Sequence, residues 1–204
     1  MTVHILNYGL GNLKSLSWAL ERIGCEYIIT NDPHELRHSD KLIIPGVGSF
    51  GQAMKNIESL GLSHTILDLA HNGNSRILGI CLGMQILFDI SAESPGIKGF
   101  SIIKGDFELL VSTTSPVPHI GWNNLEFKGD SSFRYLNGIK PEDDFYFVHS
   151  YALLRSNLKN CLESSRGRQN FISYLETDNI TCSQFHPEKS HTAGLLFLKN
   201  WIVG

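Results

Sequence analysis

The chain has 204 residues, 42% hydrophobic and 18% charged, with a net charge of -3. This suits one domain over residues 1–204 with a sizeable core, and gives no electrostatic footprint for nucleic acid. No apolar run reaches the roughly 20 residues a membrane helix needs, and the opening MTVHILNYG has neither the basic start nor the apolar stretch of a signal peptide.

The four cysteines, Cys25, Cys81, Cys161 and Cys182, form no C-x-x-C pair. That pattern points away from a zinc ribbon, a dithiol redox site or a disulfide scaffold, and a reduced cytoplasmic setting is expected.

The first half alternates short apolar runs with helical patterns. Residues 2–7 read as a strand. Residues 12–23 place Leu13, Leu16, Leu20 and Ile23 at helical spacing, and Gly24 stops the helix. A second strand is predicted over 25–29. Asp32 followed by Pro33 opens a short helix as N-cap and first-turn residue. A third strand, 41–44, runs into the loop Pro45-Gly46-Val47-Gly48. Helices over 51–59 and 63–72, a fourth strand over 76–80 and a helix over 82–88 follow. This rhythm predicts an α/β fold with a mostly parallel central sheet and helices on both faces.

After about residue 97 the pattern changes. Short β-like runs at 100–104, 107–111, 145–148, 161–164, 170–175 and 180–185 predict antiparallel additions joined to the same sheet. A last helix is expected over 191–202. Segments 112–119 and 128–144 read as loops, from Pro116, Pro118, Gly129, Gly138 and Pro141.

The strongest chemical signal is Gly79-Ile80-Cys81-Leu82-Gly83, a G-x-C-x-G segment where a buried strand meets a helix. This is a nucleophile elbow with Cys in place of Ser. The glycines let the chain turn tightly, the helix start favours thiolate, and the Leu82 N–H is placed to meet a developing oxyanion.

A thiolate nucleophile needs a base, and the base an orienting group. In Phe185-His186-Pro187-Glu188 a carboxylate follows an imidazole by two residues, with Pro187 fixing the backbone on an extended turn. Beside the elbow, this outweighs a surface histidine. The Pro45–Gly48 loop ends another parallel strand, where open α/β sheets place their ligands.

Together these segments resemble the class I, triad-type glutamine amidotransferases. Asn7 through Leu13, Pro45 through Gly51, Gly79 through Gln85, Pro118 through Asn123, Tyr146 through Tyr151 and Gln184 through Ser190 look like the family of glutaminase subunits of imidazole glycerol phosphate synthases.

That resemblance implies Cys81 as nucleophile, His186 as acid–base and Glu188 as its orienter. It implies an oxyanion hole from Val47, Gly48 and Leu82, and glutamine held by Gln85, Ser150 and Tyr151. Asn12, Ile120, Gly121, Trp122, Asn123 and Lys189 would face a partner, a (β/α)₈-barrel cyclase that takes up the ammonia for histidine biosynthesis. No metal or organic cofactor is implied.

His191 and the stretch 155–180 depart from the family pattern. They keep open a paralogue feeding amidine formation on an acetamido sugar in surface-polysaccharide synthesis. A stand-alone cysteine hydrolase and a non-catalytic module of the same fold are further alternatives. His119 and His149 are candidates to line the site or interface, and the other three cysteines read as apolar filler on strands.

Overall fold

The computed structural model describes residues 2–111, 116–127 and 133–204. Its first half is β1 (Val3–Leu6), α1 (Leu13–Arg22), β2 (Tyr27–Thr30), α2 (Pro33–Leu36), β3 (Lys41–Ile44), α3 (Phe50–Ser59), α4 (Ser63–Asn72), β4 (Arg76–Ile80) and α5 (Leu82–Gln85). Then come β5 (Ile90–Ser91), β6 (Asp106–Leu109), β7 (His119–Asn124), β8 (Asp144–His149), β9 (Tyr151–Leu153), β10 (Cys161–Arg166), β11 (Gln169–Glu176), β12 (Ile180–Ser183), a 3₁₀ turn at Pro187–Lys189 and α6 (His191–Val203).

Among the described residues the main sheet has seven strands, ordered β10-β11-β12-β4-β3-β1-β2. Strands β2, β1, β3, β4 and β12 run parallel to one another, and β11 and β10 close the edge antiparallel. The period-2 geometry of a strand sends alternate residues to opposite faces, and both faces are filled. On β3, Leu42 and Ile44 enter one core with Phe50, Ile57 and Ile66. Ile43 enters the other with Leu16, Leu20, Phe197 and Trp201. The near-continuous apolar strands therefore mark burial on both sides.

The predicted α/β sheet with helices on both faces is present, and several finer expectations change. The second strand starts at Tyr27 rather than Cys25, because the Cys25 N–H still donates to the Leu20 carbonyl of the helix end. The additions after residue 97 do not all join one sheet: β5-β6-β9 and β7-β8 form two separate small sheets, and β12 is parallel to β4. The segment β7, which reads poorly as a strand, pairs with β8 from His119↔His149 to Asn124↔Asp144.

Residues 100–104 form no strand. Helix α5 stops at Gln85, three residues early, which frees the carbonyls of the next turn. The N–H groups of Phe100, Ser101, Ile102 and Ile103 bond back to Ile86, Phe88 and Leu87. An apolar run reads as a strand, but unsatisfied carbonyls nearby captured it. Parts of the predicted loops 112–119 and 128–144 lie outside the described residues. No described helix is long and apolar enough to cross a membrane.

Candidate active site

Strand β4 delivers Cys81 to the carboxyl end of the sheet. The Cys81 N–H donates to the Ser183 carbonyl at 2.7 Å, which extends the β4–β12 pairing one step past its last residue pair. The backbone then reverses at Cys81 with φ 52° and ψ -102°. A non-glycine residue in such a region costs about 1–3 kcal/mol and persists only where its surroundings enforce it.

The enforcement is visible at Gly83. A Cβ there would lie 1.8 Å from the Ile44 carbonyl oxygen, so only glycine lets α5 start directly beneath β3. Cys81 is buried, with its sulfur 3.9 Å from the Val148 carbonyl and 3.5 Å from Gln184 Nε2.

The imidazole of His186 arrives from the neighbouring strand. Beyond β12, His186 is extended and its N–H donates to the Tyr146 carbonyl at 2.9 Å. Pro187 starts the 3₁₀ turn, so the two side chains meet across a tightened turn rather than the extended one expected. His186 Nδ1 lies 2.8 Å from Glu188 Oε1. A carboxylate only accepts, so Nδ1 carries the proton and Nε2 is left free.

Nε2 is buried, and the Cys81 sulfur acts on the imidazole both as a charge and as a hydrogen-bond partner. Burial alone would push the imidazole pKa down. The charges of Glu188 and the Cys81 sulfur outweigh it and lift the imidazole to about 10, so the geometry favours an imidazolium beside sulfur. Ser190, quoted in the sequence only as part of a motif, clamps this turn: its Oγ accepts from the Tyr146 N–H and donates to the His186 carbonyl at 2.6 Å.

A cleft of about 230 Å³ opens over Cys81. Val47, Gly48, Leu82, Gln85, Ser150 and Tyr151 line it, so the predicted oxyanion and substrate residues converge on one space.

The sequence reading missed two features of this region. Glu93 brings a carboxylate into the cleft, held by the Phe50 N–H. Tyr8, fully buried, donates to the Pro45 carbonyl at 2.6 Å and so pins the loop that carries Val47 and Gly48. Burial first, and the Cys81 sulfur second, push the Tyr8 phenol pKa up, so it stays a donor. Neither has a local signature; each acts through a contact some 40 residues away in sequence.

His149 lines the cleft, and His119 lies behind it, its Nδ1 3.0 Å from His149 Nε2. His149 Nδ1 in turn faces the Tyr151 carbonyl at 3.0 Å. Burial lowers both imidazoles, to about 4 for His119 and about 3 for His149. Cys182 is buried on β12, Cys161 opens β10, and Cys25 precedes β2 instead of lying on it.

The predicted partner residues fall away from the cleft. Ile120 and Trp122 are about half exposed. Trp122 stacks on His191 with centroids 4.7 Å apart and planes 10° apart. Lys189 lies over the Tyr146 ring and shares a hollow with Trp18, Arg22, Glu188 and His191. Gly121 and Asn123 sit on β7, whereas Asn12 accepts from the Ser15 N–H as the N-cap of α1.

The profile of the glutamine amidotransferase class-I family matches residues 4–203. The chain belongs to the class-I glutamine amidotransferases. This amidotransferase is 42% identical to imidazole glycerol phosphate synthase subunit HisH of Aquifex aeolicus (strain VF5), over 98% of this chain and 96% of that one. It is likewise 42% identical to the subunit of the same name from Methanothermobacter thermautotrophicus, over 98% and 97% of the two chains.

Among solved structures, a crystal structure of a glutamine amidotransferase superposes with a TM-score of 0.73 at 18% identity, covering 98% of each chain. PurLQS from Thermotoga maritima gives 0.68 at 19% identity, covering 99% and 97%. At that identity these two speak for the fold.

Proposed function

We propose that this chain is the glutaminase subunit of an imidazole glycerol phosphate synthase, releasing ammonia from glutamine for histidine biosynthesis. The observation that carries the chemistry is an elbow cysteine, open to one small cleft, whose sulfur acts on the ion-paired imidazole of His186–Glu188. Relatives of that name align over nearly the whole chain.

Cys81 Sγ attacks the side-chain amide carbon of glutamine, while its proton resides on His186 Nε2. Negative charge on the amide oxygen is met by backbone N–H groups of Val47, Gly48 and Leu82, worth about 3–4 kcal/mol per donor in such sites. His186 returns the proton to the leaving nitrogen, and ammonia departs from a glutamyl thioester. His186 then takes a proton from water, whose oxygen attacks the thioester and frees glutamate and the thiolate. Glu188 holds the imidazole in the required tautomer. Gln85, Ser150 and Tyr151 hold the amino-acid end of the substrate, and the Glu93 carboxylate meets its α-ammonium group.

The ammonia goes to a (β/α)₈-barrel cyclase docked on Asn12, Ile120, Gly121, Trp122, Asn123 and Lys189. Exposed Ile120 and Trp122, contiguous with Lys189 through His191, support that seat. His191 departs from the family pattern, and its place against Trp122 gives it a role in the same surface.

The test is glutamate release by the purified chain with and without its barrel partner loaded with ligand. Stimulation of roughly tenfold or more is expected, within the range of allosteric coupling. Partner-independent peptidase activity without stimulation would overturn the reading.

A further inference from the structure

One buried polar side chain in the site has no role in the steps above. Gln184 is fully buried, and its backbone N–H is fixed to the Ser173 carbonyl at 2.9 Å. Its Nε2 lies 3.5 Å from Cys81 Sγ, and its Oε1 has no partner among the described residues. A buried amide with an orphaned oxygen is a net cost to folding. A methionine would fill the same space without that cost. The amide is therefore placed for its contact with sulfur.

We infer that Gln184 is a further catalytic residue, whose amide N–H donates to the Cys81 thiolate and holds the sulfur between the oxyanion loop and His186. This rests on Cys81 being the nucleophile. An N–H donor stabilises the charged form of its acceptor. The thiol form has a different outlet, the Val148 carbonyl 3.9 Å from the sulfur. The remaining titratable groups around the sulfur are Tyr8 after β1, His186 and Glu188 after β12, and His149 and Glu93 across the cleft. Among the described residues, Gln184 gives the sulfur an uncharged side-chain donor.

The experiment compares Gln184→Met and Gln184→Glu with the unmodified chain in complex with its synthase partner. Two quantities are read: the pH midpoint of Cys81 alkylation by iodoacetamide, and kcat and KM for glutamine. In Gln184→Met the midpoint rises by about one pH unit. The thiolate fraction at neutral pH then falls by up to tenfold, partly offset because a more basic thiolate is a better nucleophile. So kcat falls roughly three- to tenfold, recovers at higher pH, and KM stays within about twofold. Gln184→Glu places a carboxylate against sulfur and shifts the midpoint further in the same direction.

Unchanged pH profiles and kcat in both variants, whatever their melting temperatures, would overturn the assignment. The underlying reading fails separately, if Cys81→Ala still hydrolyses glutamine.

Discussion

Gly83 presses against the backbone of Ile44: its α-carbon lies so close to the Ile44 carbonyl that a methyl group there would sit 1.8 Å from the oxygen. This contact sets the start of α5 under the sheet and thereby the turn at Cys81. Gly83→Ala must push α5 off β3, an overpacking that costs about 1–3 kcal/mol or more. Glutaminase activity should fall at least tenfold, since displacements of about 1 Å in a site cost up to 10²-fold. A thermal melt paired with a glutamate-release assay checks both effects.

Glu188→Gln keeps the shape beside His186 and removes the charge. The amide can donate to Nδ1, which stabilises the wrong tautomer and leaves Nε2 protonated with no basic lone pair for Cys81. By analogy with the Asn substitution in the serine-protease triad, kcat should drop roughly 10³- to 10⁴-fold, with KM for glutamine little changed. Steady-state kinetics across pH would show it.

His119 and His149 are both held neutral, with pKa values near 4 and 3 against about 6.5 unfolded. The unfolded chain binds more protons in that window, so stability rises with pH through it. The contribution is fully present above about pH 6.5 and is lost progressively as pH falls toward 4, on the order of 5 kcal/mol for the pair taken as independent groups. His186 has the opposite sign: its raised pKa contributes below about 6.5 and is lost as pH climbs through about 10. Denaturant melts at pH 7 and pH 4.5 should show the acid loss, and His119→Phe should flatten that limb.

Trp122 is about half exposed and stacked on His191. An aromatic anchor of that kind carries about 2 kcal/mol or more at a protein interface, so Trp122→Ala should weaken partner binding roughly 30-fold. The basal glutaminase activity of the free chain should stay unchanged, because Trp122 does not line the cleft. Titration calorimetry with the barrel subunit reads the first effect.

The parts of the molecule legible in the sequence are those dictated locally. Strands β3 and β4 and helix α4 begin and end where apolar runs and punctuating residues place them. The placement of Cys81 at a strand–helix turn and the contact between His186 and Glu188 follow from one elbow and one short motif. What stayed hidden depends on contacts distant in sequence. Strand β7, His-Ile-Gly-Trp-Asn-Asn, has weak strand character and exists because β8 pairs with it. The Phe100–Ile103 run looks like a strand, yet it serves the carbonyls left when α5 ends. Tyr8 and Gln184 lie in segments quoted for the resemblance but with nothing local to mark what they touch, Glu93 lies in none, and only the fold brings the three to Cys81 and its loop.

The most direct test of the account is acid-quenched mass spectrometry of the complex turning over glutamine, with Cys81→Ala alongside. A glutamyl adduct confined to Cys81, together with loss of glutaminase activity in a folded Cys81→Ala chain, is the result expected. An adduct on Cys25, Cys161 or Cys182, or glutamine hydrolysis persisting without the Cys81 sulfur, would contradict it.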